Sequence, residues 1–130
     1  MSYSKEVIVP KAGTRRATML MSFRSDVEAA DQTIAKFTKG MAEDPVYTLQ
    51  WAADSFNAAA KRDVANQVIC LLERVEDVEG LRIILLEGVM NKAQYINNKS
   101  TSTCSNFMEE CVLAARTEAY DCFKYVKTLD

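Results

Sequence analysis

The chain has 130 residues, a formal net charge of −2 and 48% hydrophobic residues. This length suits one domain, and the hydrophobic content excludes a chain that is disordered throughout. Because the sequence contains only four glycines and two prolines, its composition favours helices over a β fold rich in turns. We expect an all-α protein, a bundle of four to five helices with an extended N-terminal arm.

No apolar run approaches the roughly 20 residues that a membrane-spanning helix needs. The longest run, "IILLEGVM", contains the charged Glu87. The first residues, "MSYSKEVIVPK", lack the basic segment and the long apolar core of a secretory signal. We therefore expect a cytoplasmic protein with no membrane contact.

The N-terminal part of the chain differs in pattern from the rest. "EVIVP" is short, rich in β-branched residues and ends in Pro10, which predicts an extended segment or an edge strand. The following "KAGTRR" predicts a polar turn. After it comes "TMLMSF", which we expect to lie in an apolar groove while Lys11, Arg15 and Arg16 face outward. Whether this groove belongs to the same molecule or to a neighbour is left open.

The first helix is predicted from "SDVE", which has the form of a capping box. In this motif the side chains of Ser25 and Glu28 would bind free N–H groups at a helix start. We expect the helix to end at Gly40, since glycine is common just after helix C-termini. The chain is thereby divided into an extended basic arm over 1–24 and a helical bundle over 25–130.

A second helix start is predicted at Asp44, the N-cap, with Pro45 at the first helical position. Apolar residues then recur at helical spacing to about residue 75 and predict a buried stripe. Its members are Val46, Leu49, Ala53, Phe56, Ala60, Val64, Val68 and Leu71. The polar "KRD" at 61–63 leaves open whether this helix is continuous or broken there.

A third helix is predicted to start at Asp77. Its "IILL", residues 83–86, is apolar on every side, which is typical of a central helix or of one that a partner covers. The polar "NNKSTST" at 97–103 predicts a surface loop. A last helix is expected over about 105–127.

The four cysteines predict neither a metal site nor disulfides. The sequence has no histidine and no CxxC pair, so a zinc site has no support. Three of the cysteines would share a face of the last helix but lie about 10 Å or more apart along its axis, too far for a disulfide. We expect Cys70, Cys104, Cys111 and Cys122 to be reduced and mostly buried.

The sequence does not predict an enzyme. The absence of histidine removes the commonest base for a serine or cysteine nucleophile, and also the ExxH motif of di-iron bundles. The glycine-rich phosphate loops GxxxxGK[ST] and GxGxxG are absent as well. We expect a non-catalytic protein with no cofactor and no metal.

Charge is distributed unevenly along the chain. Up to Arg24 there are five basic residues and one acidic residue, a net charge of +4, whereas the remainder has 11 basic and 17 acidic residues, a net charge of −6. Such a basic segment can bind phosphate, an acidic patch on another protein, or the body of its own chain. We predict contact with a nucleic-acid backbone, through Lys11, Arg15, Arg16, Arg24, Lys36, Lys39, Lys61 and Arg62.

Two further expectations accompany this prediction. Because exposed charges contribute little to folding, replacing Arg15 and Arg16 with alanine should leave stability almost unchanged. Aromatic residues of the kind that stack on bases occur in the same half of the chain, at Tyr3, Phe23, Tyr47 and Trp51.

The long helix "WAADSFNAAAKRDVANQVICLLE" (51–73), with Lys61 and Arg62 at its middle, resembles the small helical subunits of CRISPR effector complexes. The likeness covers the general architecture of residues 25–127. It implies a role in antiviral defence, in which the protein packs on neighbouring subunits, including copies of itself, and contacts an RNA or single-stranded DNA backbone without catalysis. The alternative is a small phage or bacterial adaptor or inhibitor that binds another protein and has no nucleic-acid role.

Overall fold

The computed structural model describes residues 3–85, 87, 110–111, 114–115 and 129–130. Over these residues the chain is predominantly helical, and its one β-bridge joins Tyr3 to Val75. The elements are α1 (Arg15–Glu43), α2 (Pro45–Thr48), a 3-10 turn (Leu49–Trp51), α3 (Ala52–Arg74) and a helical segment at 78–85.

The all-α class is thereby confirmed, while the number of four to five helices stays a prediction. The loop expected at 97–103 and most of the helix expected at 105–127 lie outside the described residues.

Helix α1 begins ten residues before the predicted start at Ser25, so the arm expected over 1–24 is helical from Arg15 onward. The Thr14 hydroxyl accepts from the backbone N–H of Ala17 at 3.2 Å, and the Asp130 carboxylate accepts from the N–H of Arg15 at 2.6 Å. These two caps stabilise the helix start at Arg15. The sequence predicts that the segment "TMLMSF" is extended and lies in an apolar groove, but it is helical and contributes side chains to the core. The part of the arm without helix is residues 3–14.

Gly40 does not end α1, which continues to Glu43. A Cβ atom at Gly40 would lie 2.6 Å from the Oγ1 atom of the buried Thr48. The glycine is therefore needed for the close approach of Thr48 rather than for a helix stop.

The start predicted at Asp44 is confirmed, since its carboxylate accepts from the N–H of Tyr47 and Pro45 opens α2. The break considered near 61–63 does not occur, because α3 is continuous through those residues. The irregularity lies earlier, in the 3-10 turn Leu49–Trp51.

Helices α1 and α3 pack antiparallel. Arg24 near the start of α1 forms an ion pair with Glu73 near the end of α3, and Asp31 forms one with Arg62 nearer its middle. The side chains of Phe23, Val68 and Leu72 are buried in the core that these helices share.

The helical segment at 78–85 completes the described core. The Asp77 carboxylate accepts from the N–H groups of Glu79 and Gly80 at 3.2 and 3.0 Å, as expected for a helix start. Leu81 and Leu85 are buried. Ile83 is half exposed on the outer face of the segment, so the described chain does not cover "IILL" on every side. Its coverage by a partner stays a prediction.

The two described cysteines, Cys70 and Cys111, are free thiols. Cys111 is buried, as predicted, but Cys70 is exposed, so the expectation of burial is wrong for it. Cys70 follows the partly buried Ile69 on α3, and its side chain lies outside the core. Cys104 and Cys122 lie outside the described residues.

Candidate interaction surface

Arg16 is a structural residue, although the sequence predicts it to be an exposed nucleic-acid contact. Only 4% of it is exposed. Its Nη2 atom donates to the carbonyl oxygens of Leu72 and Val75, both at 2.6 Å, and its Nε atom donates to Leu72 at 3.0 Å. Burial lowers the pKa of the guanidinium, which nevertheless stays charged at neutral pH. The prediction that Arg16 faces outward is therefore wrong.

The residues before α1 also contact the C-terminus of α3. The backbone N–H of Ser4 donates to the carbonyl of Arg74 at 2.6 Å, and the N–H of Ile8 donates to that of Glu73 at 2.8 Å. The last carbonyls of a helix have no partner within the helix. The helix dipole also favours a cation near them, which here is the guanidinium of Arg16. The basic segment thus stabilises the acidic body of its own chain.

The other predicted basic residues do not form one surface. Arg24 is exposed and Arg62 is partly exposed. Both form ion pairs with carboxylates of the opposite helix, which reduces their attraction for phosphate. Arg15 and Lys36 are exposed but lie about 30 Å apart along α1, at 1.5 Å per residue. A single phosphate-backbone contact of a few nucleotides would not include both.

The other three predicted basic residues lie near the start of α1, near its end and in the middle of α3. Lys11 is exposed near the start of α1, Lys39 is exposed near Lys36, and Lys61 is partly buried in the middle of α3.

The turn between α1 and α3 carries a concentration of exposed apolar side chains, which we call the apolar cluster. Five of the ten large hydrophobic residues that are exposed in the described chain fall within 46–56. They are Val46, Tyr47, Leu49, Trp51 and Phe56. Three of them, Val46, Leu49 and Phe56, belong to the stripe that the sequence predicts to be buried. That expectation is wrong for these three and for Ala53, which is exposed as well.

The 3-10 turn gives a physical reason for the exposure of Val46, which precedes the turn, and of Leu49, which begins it. A 3-10 helix advances about 120° per residue and an α-helix about 100°. Three residues of 3-10 helix therefore rotate the chain by roughly 60° relative to a continuous α-helix. Val46 and Leu49 consequently do not lie in line with Val64 and Val68, which are buried against α1.

A groove of about 660 Å³ lies beside the apolar cluster, between the last turns of α1 and the α2–α3 segment. Gly40 and Thr48, whose close contact joins the two segments, are among its lining residues. The groove is also lined by charged and aromatic side chains, namely those of Lys36, Lys39, Glu43, Tyr47, Trp51 and Asp54. Tyr47 and Trp51 are 62% and 49% exposed, so the groove presents both rings to solvent.

The charge of the groove is mixed. Its two lysines are accompanied by the carboxylates of Glu43, Asp44 and Asp54, so it does not present a purely positive surface. Within the part of the chain that the structure describes, no three His, Cys, Asp or Glu side chains are grouped to hold a metal ion. Among the same residues, no helix is long and apolar enough to cross a membrane.

The aromatic residues of the predicted stacking set are separated by the fold. Phe23 is buried in the core, and Tyr3 lies in the N-terminal segment, bridged to Val75. Tyr47 and Trp51 line the same groove as two of the predicted basic residues, Lys36 and Lys39. The sequence signal that could have located this surface is the density of large apolar residues after Pro45, read with the possibility of a 3-10 turn.

Comparison of the chain with protein-family models, with curated proteins and with solved structures finds no match to any of them.

Proposed function

We propose that this protein is a non-catalytic helical subunit that joins a protein assembly through the apolar cluster and the adjoining groove. The observation that carries the proposal is the exposure of five large hydrophobic side chains, including the single tryptophan, within 46–56. Exposed apolar patches with aromatic residues are typical of protein–protein interfaces, where tryptophan and tyrosine supply much of the binding energy.

Both interpretations of the sequence include such an interface. A small subunit of a CRISPR effector complex would use it to pack on neighbouring subunits, and a phage or bacterial adaptor would use it to bind its target. The mixed charge of the groove favours a protein over a phosphate backbone as the main contact, because three carboxylates lie near Lys36 and Lys39.

A nucleic-acid contact is the second candidate function. It is favoured by the position of Lys36 and Lys39 in the same groove as Tyr47 and Trp51, since single strands bind to basic grooves with aromatic stacking platforms. Neutralised phosphates release counterions, so this binding would weaken steeply with salt. A Lys36→Gln, Lys39→Gln variant would then show a shallower salt dependence of nucleic-acid affinity than the parent chain.

The proposed protein interface is tested by photo-crosslinking in the native cell. A photoreactive phenylalanine analogue replaces Tyr47 in one variant and Tyr3 in the other, two tyrosines that are 62% and 60% exposed. Position 47 is expected to yield discrete protein adducts, whereas position 3, which is away from the cluster, is not. A Trp51→Ala change added to the position-47 variant should remove the adducts.

Two outcomes would contradict the proposal. Adducts with nucleic acid alone at position 47 would support the second candidate instead. Protein adducts that persist with Trp51→Ala, or that form equally from position 3, would show that the apolar cluster is not the interface.

A further inference from the structure

The charges on the last turns of α1 are arranged in a self-complementary way. Lys36 and Glu43 are both exposed and line the groove. They are seven residues apart, which is close to two helical turns, so they lie on one face of α1 about 10 Å apart. The basic group precedes the acidic one along the helix, with Gly40 between them.

Such an arrangement pairs with itself when two copies of the helix run antiparallel. About a two-fold axis near the midpoint of 36 and 43, each Lys36 lies opposite the other copy's Glu43, and the pairing occurs twice. A two-fold interface requires this relation, because the same surface of each copy must complement itself. A partner of a single charge sign would leave either the lysines or the carboxylates of this groove opposed to like charge.

The apolar cluster lies beside the same groove. In a two-fold dimer the rings of Tyr47 and Trp51 would be covered together with the groove that they line. Their removal from water would supply the main driving force, and the charged pairs would fix the register and orientation.

We propose that the occupant of this groove is a second copy of the chain, held as an antiparallel two-fold dimer with reciprocal Lys36–Glu43 pairs. This inference rests on the proposed function and identifies a second copy of the chain as a partner of the apolar cluster. The single tryptophan of the sequence, Trp51, lies in the interface and reports on it.

The experiment combines charge reversal with sedimentation and Trp51 fluorescence of the full chain. The parent chain should form dimers as its concentration rises, with Trp51 emission shifting to shorter wavelength. Lys36→Glu alone and Glu43→Lys alone should each place like charges opposite one another and raise the dimer dissociation constant by about tenfold or more. Mixing these two variants should restore a heterodimer, and the double variant K36E/E43K should restore the homodimer.

The controls are Lys11→Glu and Glu28→Lys, which reverse exposed charges away from the groove and should leave the dimer unchanged. Two outcomes would overturn the inference: a parent chain that stays monomeric at all concentrations, or single reversals that the mixture does not rescue. A monomeric chain with Trp51-dependent crosslinks to another protein would overturn the dimer alone. Loss of both the dimer and those crosslinks would overturn the proposed function as well.

Discussion

Arg16, the second residue of α1, donates hydrogen bonds to the carbonyl oxygens of Leu72 and Val75 at the C-terminus of α3. The contact joins residues 56 and 59 positions apart in sequence. Arg16 therefore has a structural role, although it belongs to the basic segment. Its guanidinium places a positive charge and several N–H donors beside carbonyls that have no partner within α3.

Arg16→Met should lower the free energy of unfolding by roughly 2–4 kcal/mol, because the buried carbonyls of Leu72 and Val75 lose their donors while the apolar stem is retained. Arg16→Lys should recover only part of this loss, since an ammonium group does not reproduce the planar fork of donors. Denaturant unfolding measures both effects. Lys11→Met is the control and should leave stability nearly unchanged. A stable Arg16→Met variant would show that the buried contact contributes little.

Gly40→Ala should destabilise the protein, although alanine is normally the better helix residue. The added Cβ would lie within 3 Å of the Thr48 side chain, which is β-branched and stiff. We expect a loss of about 1–3 kcal/mol from overpacking. In a double-mutant cycle, Thr48→Ala should relieve this loss, so that the double variant is at least as stable as Thr48→Ala alone. Additive losses would contradict the predicted contact.

Leu85→Ala and Ile83→Ala are a matched pair within "IILL". Leu85 is buried in the core and Ile83 is half exposed, so the first change should cost about 2–5 kcal/mol and the second much less. Ile84, which is partly buried against the core, should give an intermediate loss. Chemical denaturation measures all three. Equal losses at 83 and 85 would mean that the outer face of this segment is also covered.

Cys70 and Cys111 should differ in reactivity. Burial and, to a smaller extent, the Glu110 carboxylate raise the pKa of the Cys111 thiol, whereas Cys70 is exposed. Native alkylation followed by peptide mass spectrometry should show Cys70 modified first. The folded state retains the Cys111 proton more tightly than the unfolded chain, so this contribution to stability is present below the ordinary thiol pKa and is lost as pH rises through the raised value. Rapid alkylation of Cys111 in the native state would refute its burial.

Local sequence signals predicted the parts of the fold that depend on a few neighbouring residues. Asp44 with Pro45, and Asp77, mark helix starts because each cap is satisfied within three or four residues of the chain. The start at Ser25 was wrong for a related reason. A capping-box pattern inside a helix is indistinguishable from one at its start unless the earlier cap at Thr14 is weighed against it.

The roles of Arg16 and of the apolar cluster could not be predicted in the same way. The burial of Arg16 depends on a helix end more than 50 residues away, which no local pattern specifies. The exposure of Val46 and Leu49 depends on the 3-10 turn, in which about 20° of additional rotation per residue changes the face of the helix that meets the core.

We propose that the binding surface is the apolar cluster and not the basic segment, and covalent footprinting of the chain distinguishes the two. The chain is labelled once alone and dilute, and once within its native assembly, and modification is measured by peptide mass spectrometry at Trp51, Lys11 and the exposed Met21. We predict that Trp51 is modified in the dilute chain and protected in the assembly, while Met21 and Lys11 are modified equally in both. Protection of Lys11 with Trp51 still modified would contradict the claim.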